Sequence, residues 1–190
     1  MNEMNIGVIL LLSLFFFLSE FVLMLSKRSK SAKVKSQKDR KSLLLFWLTI
    51  PFSLTLGFFL ARYQAWDTIN IVLAVLGIIL FTAGLLIRWL AIMQLQKAFT
   101  VDVAIAKDHR LKTGGIYKRI RHPSYTGLLL ICLGLGIGMN SLLSFVVVLL
   151  PVFAAVLYRI KVEEAMLSTE FGEAYKNYQQ KTVRLFPKIY

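Results

Sequence analysis

Pro123–Tyr158 reads PSYTGLLLICLGLGIGMNSLLSFVVVLLPVFAAVLY, and no acidic or basic residue interrupts it. As one straight helix it would reach about 54 Å, against a bilayer hydrocarbon thickness of about 30 Å. The segment must therefore double back, and Gly138-Met139-Asn140-Ser141 supplies the turn-forming residues. Two spans in a hairpin follow. Outward from that hairpin, three more runs have the length of a bilayer crossing. Ile6–Leu25 is broken only by Glu20, Leu43–Ala61 carries no charge, and Ile69–Gln96 carries only Arg88. The expected fold is an all-α integral membrane protein with about five transmembrane helices.

Composition supports this. The 190 residues are 57% hydrophobic and 17% charged, whereas a soluble domain carries about 25% charged residues. The net charge of +13 is gathered in clusters without interleaved stacking aromatics, which argues for anionic lipid and against nucleic acid. Membrane lipids are thus the expected surface partner. Basic residues also set the orientation. They crowd the loop Ser26–Ser42, the loop after the third span and the carboxyl-terminal tail, while the other side keeps little beyond Arg62 and Asp67. An odd number of spans puts all three clusters in the cytoplasm and the amino terminus outside. Ile6–Leu25 lacks preceding basic residues and an evident small-residue cleavage site, so it reads as a retained span rather than a signal peptide. Cys132 is the single cysteine; it excludes an internal disulfide or a cysteine-rich zinc site and reads as packing. Gly134 and Gly138 form a small-xxx-small pair suited to close approach of helices four and five or their neighbours, within one chain or between two.

The chain thus divides into residues 1–96, three spans with the basic loop 26–42, and residues 97–190, which hold a helical hairpin and most of the functional polar groups. In the second part, Gly114–Gly115 predicts a turn and Pro123 suits the first turn of helix four. His122, biased away from helix by the following proline, can share the cytoplasmic mouth with Tyr117 and Tyr125. Arg159 and Glu163 stand one helical turn apart on one face, with Glu164 pointing elsewhere. Gly172 should break the helix, and a short helix after it should carry Tyr175 and Tyr178 on one side. The tail VRLFPKIY is expected to lie back on the protein or at the interface. Alone, each feature has a plain reading: anchoring cations at Lys118 and Arg119, a surface ion pair at Arg159–Glu163, a capping histidine. Together they place His, Arg, Glu and Tyr at two neighbouring membrane entries, where ionisable groups are candidates for function.

HRLKTGGIYKRIRHPSYTG, followed beyond the hairpin by RIKVEEAMLSTEFGEAYKNY, resembles the isoprenylcysteine carboxyl methyltransferase family, part of a wider group with the phospholipid N-methyltransferases. The resemblance covers about His109 to Pro187. It implies S-adenosylmethionine as methyl donor, yielding S-adenosylhomocysteine, and no metal. The donor would occupy a cytoplasm-facing cap built from the loop after helix three and the carboxyl-terminal helices. By resemblance, the cofactor-binding residues are His109, Tyr117, His122, Pro123, Ser124, Tyr125 and Glu163. Lys112 stands where the family often has an aliphatic residue. Arg159 matches the substrate-binding residue, and Arg159 and Glu163 are the catalytic pair.

Such roles suit the chemistry. A carboxylate can take the donor's ammonium, while His122 and the N–H groups at the start of helix four can take its carboxylate. Tyr117 and Tyr125 can stack on the adenine or face the sulfonium. Methyl transfer gains mainly from alignment in a dry site. A carboxylate acceptor needs only an orienting cation such as Arg159; an amine or hydroxyl acceptor also needs a base, for which Glu163 and Glu164 are nearest. The acceptor, a lipophilic small molecule or a prenylated one, would enter sideways between spans. An NADPH-dependent membrane reductase of the sterol type and a non-enzymatic lipid-binding scaffold are the alternatives.

Overall fold

The structure, a computed structural model, describes residues 3–26, 37–64, 71–95 and 111–186. His109, most of the basic loop after the first helix and the last four residues lie outside this set. Five long helices form: α1 (Glu3–Ser26), α2 (Gln37–Gln64), α3 (Ile71–Leu95), α4 (Pro123–Gly138) and α5 (Leu142–Lys181). Lys41–Tyr63, Ile71–Leu95 and Leu142–Lys181 are long and apolar enough to cross a membrane, and Gly7–Leu23 and Pro123–Gly138 are shorter apolar helices. The protein is a multi-pass helical membrane protein. Among the described residues no strand forms, apart from one isolated parallel bridge between Ile120 and Val183.

The hairpin turns where the sequence predicts. α4 ends at Gly138, Asn140 takes the left-handed conformation (φ 51°), and Ser141 caps α5 by accepting from the Ser144 N–H at 3.3 Å. About twenty residues from Leu142 suffice to cross the hydrocarbon. The charged half of α5, from Lys161 on, therefore extends beyond the span. Gly172 breaks its helical geometry (φ 51°, ψ −123°), as expected of the residue that tolerates such angles.

Two helix pairs make the frame, α3 against α4 and α2 against α5. The first pair meets backbone to backbone. A Cβ on Gly134 would stand 2.5 Å from the Gly77 carbonyl oxygen, and one on Gly127 would stand 2.5 Å from that of Gly84. The glycines match in reverse order at seven-residue spacing, which antiparallel helices require. The close approach thus joins α4 to its neighbour α3: a Cβ on Gly77 would lie 2.7 Å from the Gly134 carbonyl oxygen and 3.2 Å from Gly138 Cα, and Gly127 adds a further glycine to the zipper. A Cβ on Gly138 would meet only the Ile9 side chain, at 3.8 Å. In the second pair, a Cβ on Gly57 would strike Val148 Cγ2 at 2.5 Å. Cys132 is fully buried among Leu128, Ile131 and Leu135, consistent with packing. α1 joins through a stripe of Ile9, Phe16, Glu20 and Leu23, all buried, while Leu11, Leu14 and Leu18 face outward. Outward leucines of this kind suit lipid.

Candidate active site

The route into α4 assembles one wall. Gly115 has φ 65°, and the Gln94 side-chain oxygen accepts from the Ile116 N–H at 2.9 Å. The resulting 3₁₀ turn, Gly115–Lys118, buries Tyr117. Its hydroxyl donates to the Ala91 carbonyl at 3.2 Å, and its own carbonyl accepts from the Tyr178 hydroxyl at 2.6 Å. Burial and the nearby Glu163 carboxylate push the Tyr117 phenol well up, so it stays neutral. Residues 119–122 then run beside the tail. The N–H groups of Arg121 and His122 donate to the carbonyls of Val183 (2.8 Å) and Arg184 (3.0 Å), and the Val183 N–H donates to Arg119 (3.1 Å). The tail therefore folds back, with Leu185 fully buried.

His122 precedes Pro123, the first residue of α4. The N–H groups of Tyr125 and Thr126 both turn back to the His122 carbonyl, at 3.1 Å, and proline has none. Fewer main-chain donors are therefore presented there than a helix start normally offers, Ser124 N–H being the one not so engaged. Side chains must do more of any anion binding.

The opposing wall comes from α5. Glu164, 6% exposed, points elsewhere than Glu163, as the sequence predicts, and forms a junction. It accepts from Arg121 Nε at 3.0 Å and Arg184 Nε at 3.0 Å, and it contacts His122 Nε2 at 3.3 Å. Burial alone would raise its pKa, but these cations hold it down at about 2. Arg121 also donates to the carbonyls of Gln179 (3.0 Å) and Thr182, satisfying groups that a helix end leaves open. Glu163 approaches the other imidazole nitrogen, Nδ1, at 3.5 Å through Oε2. That oxygen is enclosed and has no hydrogen-bond partner. Burial would raise the Glu163 pKa, yet His122 and Arg159 keep it lowered. His122 shows the converse: burial opposes its charge, but the two carboxylates outweigh burial and raise its pKa. Arg159, 2% exposed, donates from Nη1 to the Ser42 hydroxyl at 2.7 Å.

One cavity collects these groups. Tyr117, His122, Ser124, Tyr125, Arg159 and Glu163 all line it, together with apolar Leu23, Leu43, Phe46 and Trp47 from α1 and α2. It opens partly to solvent, and its few polar groups set among apolar ones are the lining typical of a small-molecule site. Pro123, though buried, is not among its lining residues. Sequence reasoning did not single out Glu20, Arg88, Arg121 or Trp47 as lining residues, nor Ser42 beneath Arg159. Glu20 and Arg88 were visible as the lone charges of two apolar runs, the signal that marks intramembrane function.

The model of the family described as phospholipid methyltransferase matches residues 72–174, more than half of the chain. The chain belongs to the phospholipid methyltransferase family. That match takes in α3, the 3₁₀ turn, α4 and α5 through Ala174, and so every cavity residue outside α1 and α2. Among similar proteins, "Protein-S-isoprenylcysteine O-methyltransferase A" of Arabidopsis thaliana is 28% identical over 186 residues, covering 95% of this chain and 92% of that protein. "Protein-S-isoprenylcysteine O-methyltransferase" of Schizosaccharomyces pombe is 35% identical over 108 residues, covering 56% of this chain and 46% of that protein. The chain thus spans about half the length of the fission yeast relative. The solved structure of the eukaryotic intramembrane Ras methyltransferase (isoprenylcysteine carboxyl methyltransferase) shares the fold, with a TM-score of 0.66. The likeness covers 97% of this chain and 67% of that one at 24% identity. The resemblance read from residues 109–187 is borne out, and the family match carries it back to α3.

Proposed function

We propose that this family member is a membrane-embedded S-adenosylmethionine-dependent methyltransferase that O-methylates a lipophilic carboxylate of the isoprenylcysteine type. The observation that carries the reading is Glu163 Oε2, enclosed, without a hydrogen bond and 3.5 Å from His122 Nδ1, beside buried Arg159 in a cavity lined by both polar and apolar groups. An enclosed carboxylate oxygen that meets its cation at 3.5 Å without a hydrogen bond has capacity for a cationic or N–H-bearing ligand; the ammonium of the methyl donor fits. When bound, the donor supplies an electrophilic methyl on sulfur. Glu163 would hold the ammonium, and Ser124 N–H with the charged His122 would meet the donor's carboxylate. Tyr117 and Tyr125, both neutral walls, would flank the adenine or sulfonium, and Pro123 would fix the turn beneath them. His109 belongs to this proposed set and lies outside the described residues.

Arg159 would orient the acceptor carboxylate, whose low basicity removes the need for a general base. Leu23, Leu43, Phe46 and Trp47 would receive the acceptor's hydrocarbon, so residues 1–96 serve as acceptor wall and residues 97–190 as donor site. The amino terminus would lie outside, with the donor cap and carboxyl terminus in the cytoplasm, where the basic loops favour that side. Relatives named for isoprenylcysteine O-methylation support a carboxylate acceptor; the phospholipid name of the family supports an amine as the second reading. Purified protein incubated with labelled donor and lipophilic acceptors decides between them. Label released by mild base marks a methyl ester, base-stable label marks an N-methyl product, and absence of S-adenosylhomocysteine binding overturns the methyltransferase reading.

A further inference from the structure

The cavity wall contains an ion pair that the proposed chemistry does not use. Arg88 of α3 donates from Nε to Glu20 Oε1 at 2.6 Å and from Nη2 to Oε2 at 2.7 Å. Its remaining terminal nitrogen, Nη1, donates to the Ser124 carbonyl at 3.0 Å. Arg88 is 5% and Glu20 7% exposed, and both line the cavity. All three guanidinium nitrogens are thus engaged, and they join α1, α3 and the first turn of α4.

Stability alone does not account for such a pair. Two apolar residues of similar size are commonly as good in a buried position, because charges must be desolvated first. A two-pronged arginine–carboxylate contact does supply direction, since the planar fork fixes the guanidinium plane. Here that plane aims Nη1 at the carbonyl of Ser124, beside Tyr125. The backbone underneath is also fixed: a Cβ on Gly127 would lie 2.7 Å from the Arg88 N and 2.8 Å from its Cβ. The Arg88 stem therefore rises from the glycine contact, one turn after Gly84, and has little freedom to leave.

We propose that Glu20 and Arg88 are positioning residues for methyl transfer, through which the placement of α1 beside the acceptor space sets the Ser124–Tyr125 turn of the donor wall. This rests on the methyltransferase reading above. Glu20 acts on the turn only through Arg88, and neither touches the reacting atoms. Because in-line transfer depends on alignment, small displacements of that turn lower turnover more than they lower donor affinity.

The test uses the full chain in detergent, with S-adenosylhomocysteine titration to count binding sites and an amine-blocked S-prenylcysteine as acceptor. Glu20→Leu/Arg88→Met removes both charges and leaves none buried alone. Its thermal midpoint should stay near wild type, while turnover per binding site falls about tenfold to hundredfold. Arg88→Lys keeps the charge but not the fork, and should show the same loss. Glu20→Gln keeps one acceptor oxygen but turns an amide NH2 toward the second guanidinium nitrogen, so it breaks the fork and should lose turnover as Arg88→Lys does. Wild-type turnover per site in the double variant makes the pair merely structural and overturns the proposal; if the double variant does not fold, wild-type turnover in Arg88→Lys does so. A wild-type protein that binds no S-adenosylhomocysteine sinks the methyltransferase reading itself, which separates the two failures.

Discussion

Glu164 accepts from Arg121 and Arg184 and touches His122, whereas its neighbour Glu163 keeps one enclosed oxygen without a hydrogen bond. The two carboxylates grip opposite nitrogens of one imidazole, yet they serve different structures. Glu164 ties the entry to α4, the end of α5 and the folded-back tail into one junction. Glu163 faces the cavity, its enclosed Oε2 3.5 Å from His122 Nδ1 and without a hydrogen bond. Adjacent residues of the same type can thus divide between tying elements of a fold together and facing a cavity, and what divides them is how closely donors meet each carboxylate.

The strongest way to break this contrast is Glu164→Ala. It leaves Arg121, His122 and Arg184 without their shared carboxylate, and should cost about 3–5 kcal/mol, read as a large fall in thermal midpoint. If the midpoint holds and only donor affinity falls, the roles assigned to the two residues are reversed. Glu163→Gln should do the opposite. Unfolding should barely change, while S-adenosylhomocysteine binding weakens by about 1.5–3 kcal/mol, roughly ten- to hundredfold in Kd. Between the two in kind stands Gly127→Ala, which forces a Cβ against the Gly84 carbonyl at 2.5 Å. Overpacking of this sort costs about 1–3 kcal/mol and should lower both the midpoint and turnover, because it lifts Arg88.

The shared imidazole predicts a pH dependence. Because the folded-state pKa of His122 is raised, its stabilising contribution is fully present below the ordinary histidine value of about 6.5 and is lost as pH rises through the raised value. The slope should not exceed about 1.4 kcal/mol per pH unit for one proton, and His122→Asn should flatten it. On the acid side Glu164 contributes fully above 4.5 and loses its contribution as pH falls toward about 2. The smallest effect belongs to Arg184→Ala. That side chain is 39% exposed, so losing its pair should cost under about 1 kcal/mol and leave donor binding unaltered.

Much of the fold was legible because a bilayer imposes simple lengths. Apolar runs of about twenty residues with at most one charge predicted the helices, and Asn140, Pro123 and Gly172 marked the hairpin turn, a helix start and a break. The cavity-lining residues His122, Ser124, Tyr125, Arg159 and Glu163 were legible as candidates because they fall in two compact local patterns. Glu20, Ser42 and Arg88 were not assigned to the site, since each stands alone in an apolar or basic stretch with its partner 68 or 117 residues away. The partner of the α4 glycines was equally hidden, because small residues show that a helix can be approached without saying by which neighbour.

By itself, the sequence determined a five-helix membrane protein with its polar chemistry at the two borders of the hairpin, because hydrophobic length and charge placement act locally along the chain. Tertiary structure decided what those borders contain. Only the packing of α3 on α4 at Gly77–Gly134 and Gly84–Gly127 brings Arg88 to Ser124, and only the meeting of the α4 entry and the returning tail with α5 surrounds Glu164 with cations. The physical reason is that a charge buried at low dielectric is defined by its partners, and partners far apart in sequence meet only when helices pack.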